Sequence, residues 1–249
     1  MNALLVLPTY NEAANIREVV ERALAATPDV DILVVDDNSP DGTGRIADEI
    51  AAAQPRVRVM HRPGKGGLGP AYIAGFTDGL ARGYEAFIEM DSDLSHDPAD
   101  LARFVAAVKD ADLVIGSRYI PGGGVTNWSK NRVRLSQAGN LYARTLLGFG
   151  LTDSTSGYRC YRRGLIETLP LRQIGSEGYT FQIEMAWRSW TLGFIVTEIP
   201  IVFRERTEGS SKMSRRIVFE ALWRVLVFAL RFKRAPRRAH PKSVATSPG

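Results

Sequence analysis

An α/β fold around a mostly parallel central sheet is predicted by three observations. Short apolar runs alternate with segments of helical apolar spacing through the first half of the chain. The runs are of the nearly continuous, buried type, as in Ile32-Leu33-Val34-Val35. Polar and acidic clusters follow the first, second and fourth of these runs, at the carboxyl ends where open α/β sheets bind ligands. Together these indicate βαβ units with helices on both faces.

The elements follow in order. Ala3 to Leu7 is a strand that runs into Pro8. Ile16, Val19, Val20, Ala23 and Leu24 recur with helical spacing. Asp31 to Asp36 is a strand stopped by the turn chemistry of Asp37-Asn38-Ser39-Pro40-Asp41-Gly42. A helix through Ile46 and Ile50 leads to a strand near Val57 to Met60. A glycine-rich loop, a helix around Ala71 to Leu80 and the strand before Asp91 come next, then a helix over 99–108 and a strand from Asp112 to Gly116. The second half is less regular. Pro121-Gly122-Gly123-Gly124 starts a loop, a helix runs from about Asn131 to Leu147, another contains Glu184 to Trp190, and Ile195 to Ile199 reads as a strand.

Composition narrows the possible functions. The 249 residues are 45% hydrophobic and 24% charged, which is ordinary for a globular protein with a sizeable core. A single cysteine, Cys160, cannot form an internal disulfide and fits a reducing compartment. His61, His96 and His240 lack zinc-type spacing. The N-terminus begins at once with a strand-like run and shows no signal-peptide pattern. No apolar stretch reaches the ~18 residues that a membrane span needs. The net charge of +5 is concentrated at the end: from Arg204 onward Lys and Arg far outnumber Glu205, Glu208 and Glu220. Such an end suits an anionic partner, or serves as a solubilising tail.

Asp91-Ser92-Asp93 is the most informative motif. Two carboxylates one residue apart at a strand end can converge on a hard divalent cation, which keeps water and substrate phosphates as its other ligands. A sugar nucleotide needs such a cation, because charge builds on its diphosphate as it leaves. A solvated acidic turn capping the next helix is the alternative. Gly64-Lys65-Gly66-Gly67-Leu68-Gly69 has the written form of a dinucleotide fingerprint. It follows the third strand, however, and Pro63 and Pro70 flank it, so a loop near substrate phosphates with Lys65 as a cation is the expectation.

In their order along the chain, Pro8-Thr9-Tyr10-Asn11-Glu12, Val34 to Thr43, Gly67 to Tyr72 and Met90 to His96 resemble family 2 glycosyltransferases. Within these, the chain is most similar to the dolichol- or polyprenol-phosphate mannose synthases. Gly116 to Tyr119, Gly122 to Val125, Ser154 to Arg159 and Gly209 to Lys212 extend the likeness to about residue 230. The resemblance implies a GT-A (Rossmann-like) nucleotide-sugar transferase fold, a GDP-mannose donor, Mg²⁺ or Mn²⁺, and inverting transfer to a polyprenyl phosphate. A UDP-glucose donor, or a non-catalytic nucleotide-binding protein at the membrane, are the rival readings.

By the same resemblance, Pro8, Tyr10 and Glu12 hold the guanine and ribose end, with Val35 and Asp37 beside the base. Asp91, Ser92 and Asp93 border the diphosphate, both aspartates at the metal. Arg118 sits near donor or acceptor phosphate as a catalytic group, Arg132 and Ser136 bind the acceptor phosphate, and Arg206 and Lys212 belong to a loop that closes on the donor. Ser95 stands where some members have Gln as a third metal contact. Many members also carry C-terminal transmembrane helices, and this sequence has no such run.

The expected organisation is a catalytic domain over 1–213, an amphipathic interfacial helix over 214–234 and a disordered basic tail over 235–249. In the helix, Val218, Leu222, Val225, Leu226 and Ala229 form the apolar stripe, flanked by aromatic and basic residues. This stripe either lies on an anionic membrane surface or packs on the catalytic domain or a membrane-protein partner. The expected location is peripheral on the cytoplasmic face of the membrane, with no nucleic-acid partner.

Overall fold

The structure, a computed structural model, describes residues 1–176, 178–205, 222–223 and 225–230. In chain order its elements begin with β1 (Ala3–Thr9), α1 (Ile16–Ala26), β2 (Val30–Asp36), α2 (Thr43–Ala53), β3 (Val57–His61), α3 (Leu68–Ala81), β4 (Ala86–Glu89), α4 (Leu101–Ala107) and β5 (Leu113–Ser117). They continue with β6 (Gly124–Thr126), α5 (Lys130–Leu147), β7 (Arg159–Arg162), α6 (Arg163–Thr168), α7 (Gly178–Thr191), β8 (Val196–Pro200) and β9 (Val202–Arg204). Seven strands form one sheet in the order β3-β2-β1-β4-β7-β5-β8, and β6 pairs with β9 in a two-stranded ribbon. Every pair in the sheet is parallel except those of β7, which runs antiparallel between β4 and β5.

The alternation of side chains along each strand builds two cores. Leu4 and Val6 of β1, Leu33 and Val35 of β2 and Phe87 of β4 face α3, α6 and α7. Leu5, Leu7, Ile32, Val34 and Ile88 face α1, α2 and α4. Each fully buried Leu, Val or Ile stabilises the fold by roughly 1.5–3 kcal/mol. α3 lies unusually close to β1 because glycine occupies its contact face. A Cβ on Gly75 would stand 2.5 Å from Val6 Cγ1, and one on Gly79 2.7 Å from Leu4 Cδ2.

The parallel register puts the strand ends on one rim. Thr9 at the end of β1 stands beside Asp36 at the end of β2. β4 stops earlier, with Glu89 beside Val6, so the Asp91-Ser92-Asp93 turn fills the place next to the end of β1. Three non-glycine residues with positive φ follow these strand ends: Asn11 (62°), Asn38 (56°) and Leu94 (61°). Asn tolerates this region; for the bulky Leu94 it is a strained conformation, held by its surroundings at the tip of the acidic turn.

The expected strands and helices of the first half are present. In the second half, β7, β6 and β9 depart from the expected pattern. β7 consists of Arg-Cys-Tyr-Arg, and its Arg159 is fully buried. That guanidinium donates to the carbonyls of Ser154, Ser156 and Gln182, which lets a charged residue occupy a central strand. α7 starts at Gly178, six residues before the helix read from Glu184.

Candidate active site

The rim separates into two groups of side chains. The first gathers at β1, β2 and β4. The Ser92 hydroxyl donates to the Pro8 carbonyl at 2.9 Å and so ties the acidic turn to β1. Asp36 accepts from the Thr9 hydroxyl (3.1 Å) and from the backbone N–H of Ser39 (3.1 Å). The Asp37 carboxylate accepts from Arg62 Nη1 and from the Gly66 amide, both at 2.8 Å. Thus Asp37, expected beside the base, also anchors the glycine-rich loop. Lys65 of that loop lies 4.3 Å from the Tyr10 ring centroid, a cation–π contact. The Glu12 amide donates to the Thr43 hydroxyl, and its carboxylate accepts from Asn15. Val35 is buried in the sheet.

Asp91 and Asp93 share one turn. The Ser95 amide caps Asp93 at 3.0 Å, and the Ser95 carbonyl accepts from the Arg204 amide at 2.9 Å. Behind Asp91 stands the buried His96. Its Nδ1 accepts from the Asp91 amide at 3.3 Å and lies 3.9 Å from Asp91 Oδ2. The His96 ring packs between Tyr158 (5.0 Å) and Phe203 (5.3 Å). Asp91 itself is 27% exposed and opens to the rim. Two hard carboxylates on one turn are the donor type that Mg²⁺ or Mn²⁺ takes, with Asp91 the more open of the two and Asp93 buried. No group of three or more His, Cys, Asp or Glu side chains gathers as a metal centre among the described residues.

The second group lies at β5, α5 and the loop over 153–155. Here Arg118 is anchored by a carboxylate. Its Nε and Nη2 bind the two oxygens of Asp153, each at 2.7 Å, and Nη2 also reaches the Thr155 hydroxyl at 2.8 Å. The Arg118 backbone amide donates to the same carboxylate. The guanidinium expected near a phosphate is held here in a buried ion pair. Burial pushes the Asp153 carboxyl up, and the Arg118 charge and hydrogen bonds more than reverse it, leaving it below the usual range. Asn140 of α5 locks the loop further, accepting from the Ser154 amide at 2.8 Å and donating to Asp153 at 3.3 Å. Glu198 of β8 accepts from the amides of Thr152 and Asp153.

Arg132 and Ser136 lie one turn apart on α5, as their spacing predicts. Ser129 caps this helix, accepting from the Arg132 amide at 3.3 Å. The Arg132 guanidinium lies 4.0 Å from the Trp128 ring centroid and binds Glu205 at 2.5 Å. Tyr119 stands beside Ser136, near both the Arg118 and Arg132 charges. Phe203 joins the two groups: its ring contacts His96 on one side and Trp128, at 5.5 Å, on the other.

Residues 4–169 match the sequence profile of Glycosyl transferase family 2. The chain belongs to that family. It is 53% identical over 230 residues to the polyprenol monophosphomannose synthase of Mycolicibacterium smegmatis, covering 92% of this chain and 87% of that one. It is 50% identical to the undecaprenyl-phosphate mannosyltransferase of Micrococcus luteus, covering 92% and 95%. In fold it is similar to a mannosyltransferase from Pyrobaculum calidifontis solved with GDP-Man and Mn²⁺ (TM-score 0.64, 18% identity, 94% of this chain and 66% of that one). It is also similar to glucosyl-3-phosphoglycerate synthase from Mycobacterium tuberculosis solved with Mn²⁺, UDP and glucosyl-3-phosphoglycerate (TM-score 0.65, 22% identity, 97% and 81%). The fold of the glycosyltransferase is thus GT-A.

Three features of this glycosyltransferase are not legible in its motifs. Glu89 is fully buried two residues before Asp91, among Arg159, Gln182 and Tyr161. Burial pushes its carboxyl up to about 7, against the pull of Arg159. Asp153 and Asn140, which organise the second group, adjoin matched motifs without belonging to them. The third feature is at the C-terminal end. Among the helical residues 222–223 and 225–230, Val225 and Ala229 are buried in the core, and Phe228 packs edge-on against Trp187 of α7 at 6.0 Å. Tyr142 of α5 donates to the Leu222 carbonyl at 3.2 Å. Trp223 and Leu230 remain 66% and 63% exposed. Of the stripe residues that are described, Val225 and Ala229 therefore pack on the catalytic domain, and Leu222 and Leu226 are half-buried. No helix among the described residues is long and apolar enough to cross a membrane. Arg206, Lys212 and the tail over 235–249 lie outside the described residues.

Proposed function

We propose that this glycosyltransferase moves mannose from GDP-mannose to a polyprenyl phosphate, with inversion at the sugar carbon. The observation that carries this reading is the division of one rim into an acidic turn and a separate cluster built around two arginines, each paired with a carboxylate. The carboxylates of Asp91 and Asp93 lie on one side, and Arg132, Ser136 and Trp128 on the other, with Phe203 between them. A diphosphate donor with its cation suits the first group and a phosphate monoester suits the second. Both half-identical relatives carry names for mannosyl transfer to a polyprenyl lipid.

The chemistry asks little of a general base. A phosphate monoester has a second pKa of about 6, so the acceptor is largely dianionic near neutral pH. The chain's tasks are to position two anions and cancel their repulsion. Asp91 and Asp93 would hold Mg²⁺ or Mn²⁺, which when bound neutralises charge on the departing diphosphate. Pro8, Tyr10, Glu12 and the Val35–Asp37 segment would line the nucleoside end, with Ser92 setting the turn. Arg132 would grip acceptor phosphate oxygens, and arginine suits this through paired N–H donors. Arg118, through Asp153, holds the 153–155 loop in register with α5 and so acts on geometry. Arg206 and Lys212 would close on the donor.

The lipid tail requires contact with a membrane. The helix that carries Arg132 and Ser136 also exposes Leu135 and Leu141, and Trp223 and Leu230 are exposed beyond it. We place the protein at the cytoplasmic face as a peripheral protein, with residues 1–213 catalytic, 214–234 as a membrane-facing helix partly docked on the domain, and 235–249 as a basic tail. An anionic lipid surface, or a membrane protein that supplies one, completes it. The test is turnover with a panel of donors and a short-chain polyprenyl phosphate in the presence of Mg²⁺ or Mn²⁺. GDP-mannose is expected to exceed UDP-glucose by at least tenfold in kcat/KM. Preference for UDP-glucose overturns the donor assignment, and no transfer from any sugar nucleotide overturns the enzyme.

A further inference from the structure

Arg132 and Trp128 share an unusual state. Arg132 Nε and Trp128 Nε1 are both buried, and neither has a hydrogen-bond partner among the described residues. A guanidinium and an indole offer donors only, so an acceptor, and preferably an anion, is what satisfies both. The local chain puts them together. Asn127, at a φ of 64°, turns the backbone after β6 so that Trp128 comes back over the first turn of α5. The positive end of that eighteen-residue helix favours an anion in the same place. The group now on Arg132 is itself an anion, the Glu205 carboxylate, which is 37% exposed and reaches it from the end of β9.

We propose that the Trp128 indole N–H is a ligand of the acceptor phosphate beside Arg132, and that Glu205 holds the place of that phosphate until it arrives. This rests on the assignment of Arg132 to the acceptor. β9 covers the site: Phe203 packs edge-on against Trp128, and Glu205 follows two residues later. The incoming phosphate takes Glu205's place on the guanidinium and satisfies the indole that the carboxylate leaves unpaired. No covalent step is involved. Trp128 is a binding residue, and Glu205 is a competitor whose removal improves affinity, which is the opposite of what loss of a merely structural contact does.

Equilibrium binding of a short-chain polyprenyl phosphate to the full chain, alongside steady-state kinetics with GDP-mannose, tests this. Trp128→Phe keeps an aromatic ring, smaller than the indole, and removes the N–H. It should raise the lipid-phosphate Kd and acceptor KM roughly tenfold, the scale of a hydrogen bond to a charged group, with the GDP-mannose KM within about twofold. Glu205→Gln should lower the lipid-phosphate Kd by roughly two- to fivefold, the range of a partly exposed ion pair. That gain should vanish in the Arg132→Ala background. If Trp128→Phe lowers the melting temperature, Glu205→Gln, at a partly exposed side chain, carries the decision. Unchanged or weaker lipid-phosphate binding in Glu205→Gln, with Arg132→Ala still impaired, overturns this inference alone. Unimpaired binding in Arg132→Ala overturns the acceptor assignment beneath it.

Discussion

The proposed donor side and the proposed acceptor side of the rim are built differently. On the donor side, the acidic groups sit in turns directly after β1, β2 and β4, so the parallel register brings them together. On the acceptor side, side chains distant in sequence do that work: Arg118 meets Asp153, Asn140 spans from α5 to the 153–155 loop, and Arg132 meets Glu205. A site set by strand ends inherits its geometry from the sheet. A site set by a side-chain network depends on each member.

The sharpest way to break the acceptor side is to remove one partner of its buried pair. Asp153→Asn leaves the Arg118 charge buried with a neutral partner. The expected loss is about 3–5 kcal/mol, read as a fall in the urea midpoint. Loss of the Asp91 carboxylate should not cost so much, because Asp91 is partly exposed. A loss below about 1 kcal/mol in Asp153→Asn would show that the sheet, and not the network, holds this region.

Asp91→Asn and Asp93→Asn should do the reverse. Each removes a hard oxygen ligand and should lower turnover about a hundredfold at limiting metal, with little change in the melting temperature of the metal-free protein. Mn²⁺ titration followed by a paramagnetic probe reads the weakened site without turnover. Near-normal activity of either variant at limiting metal removes that residue from the metal site.

Glu89 offers a third comparison, since it lies beneath the proposed donor side yet is fully buried near Arg159, Gln182 and Tyr161. Its carboxyl is raised from 4.5 to about 7 in the folded chain. The folded state therefore holds the proton more tightly than the unfolded state. The stabilising contribution is complete below pH ~4.5 and is lost as pH rises through about 7. At ~1.4 kcal/mol per unit the loss is bounded at roughly 3 kcal/mol, less where water enters the cluster. Glu89→Gln should flatten this slope, so that the variant gains on the wild type between pH 5 and pH 8 in metal-free unfolding experiments. Parallel stability curves for the two proteins would assign the slope to other groups.

The same contrast explains what the sequence reveals. The acidic turn, the asparagine- and glycine-rich turns and the β-α alternation are local patterns, and the first half of the fold and the donor rim follow from them. The Arg118–Asp153 pair is not legible in the sequence, because the two residues are 35 apart and Asp153 carries no local pattern. Arg132 and Glu205 are 73 residues apart and meet only because β9 pairs with β6. β7 hides because a buried arginine stands where a strand pattern calls for an apolar residue. In each case a long-range contact stands where no local rule points to it.

The smallest expected effect concerns the membrane, and it separates the two faces of the C-terminal helical residues. Val225 and Ala229 are buried against the domain, so Val225→Asp should act as a core defect, lowering the melting temperature. Trp223 is two-thirds exposed and makes no such contribution. If that face meets lipid, Trp223→Ser should cost about 1 kcal/mol of partitioning, or roughly a fivefold weaker association with anionic liposomes in flotation, without changing the melting temperature. Raising salt should weaken both proteins alike, because the basic residues near the surface contribute roughly 1 kcal/mol each whatever stands at 223. A Trp223→Ser protein that floats as well as the wild type at every salt concentration would leave the exposed face without a role at the bilayer, and the lipid would then have to approach through Leu135 and Leu141 on α5, beside Arg132.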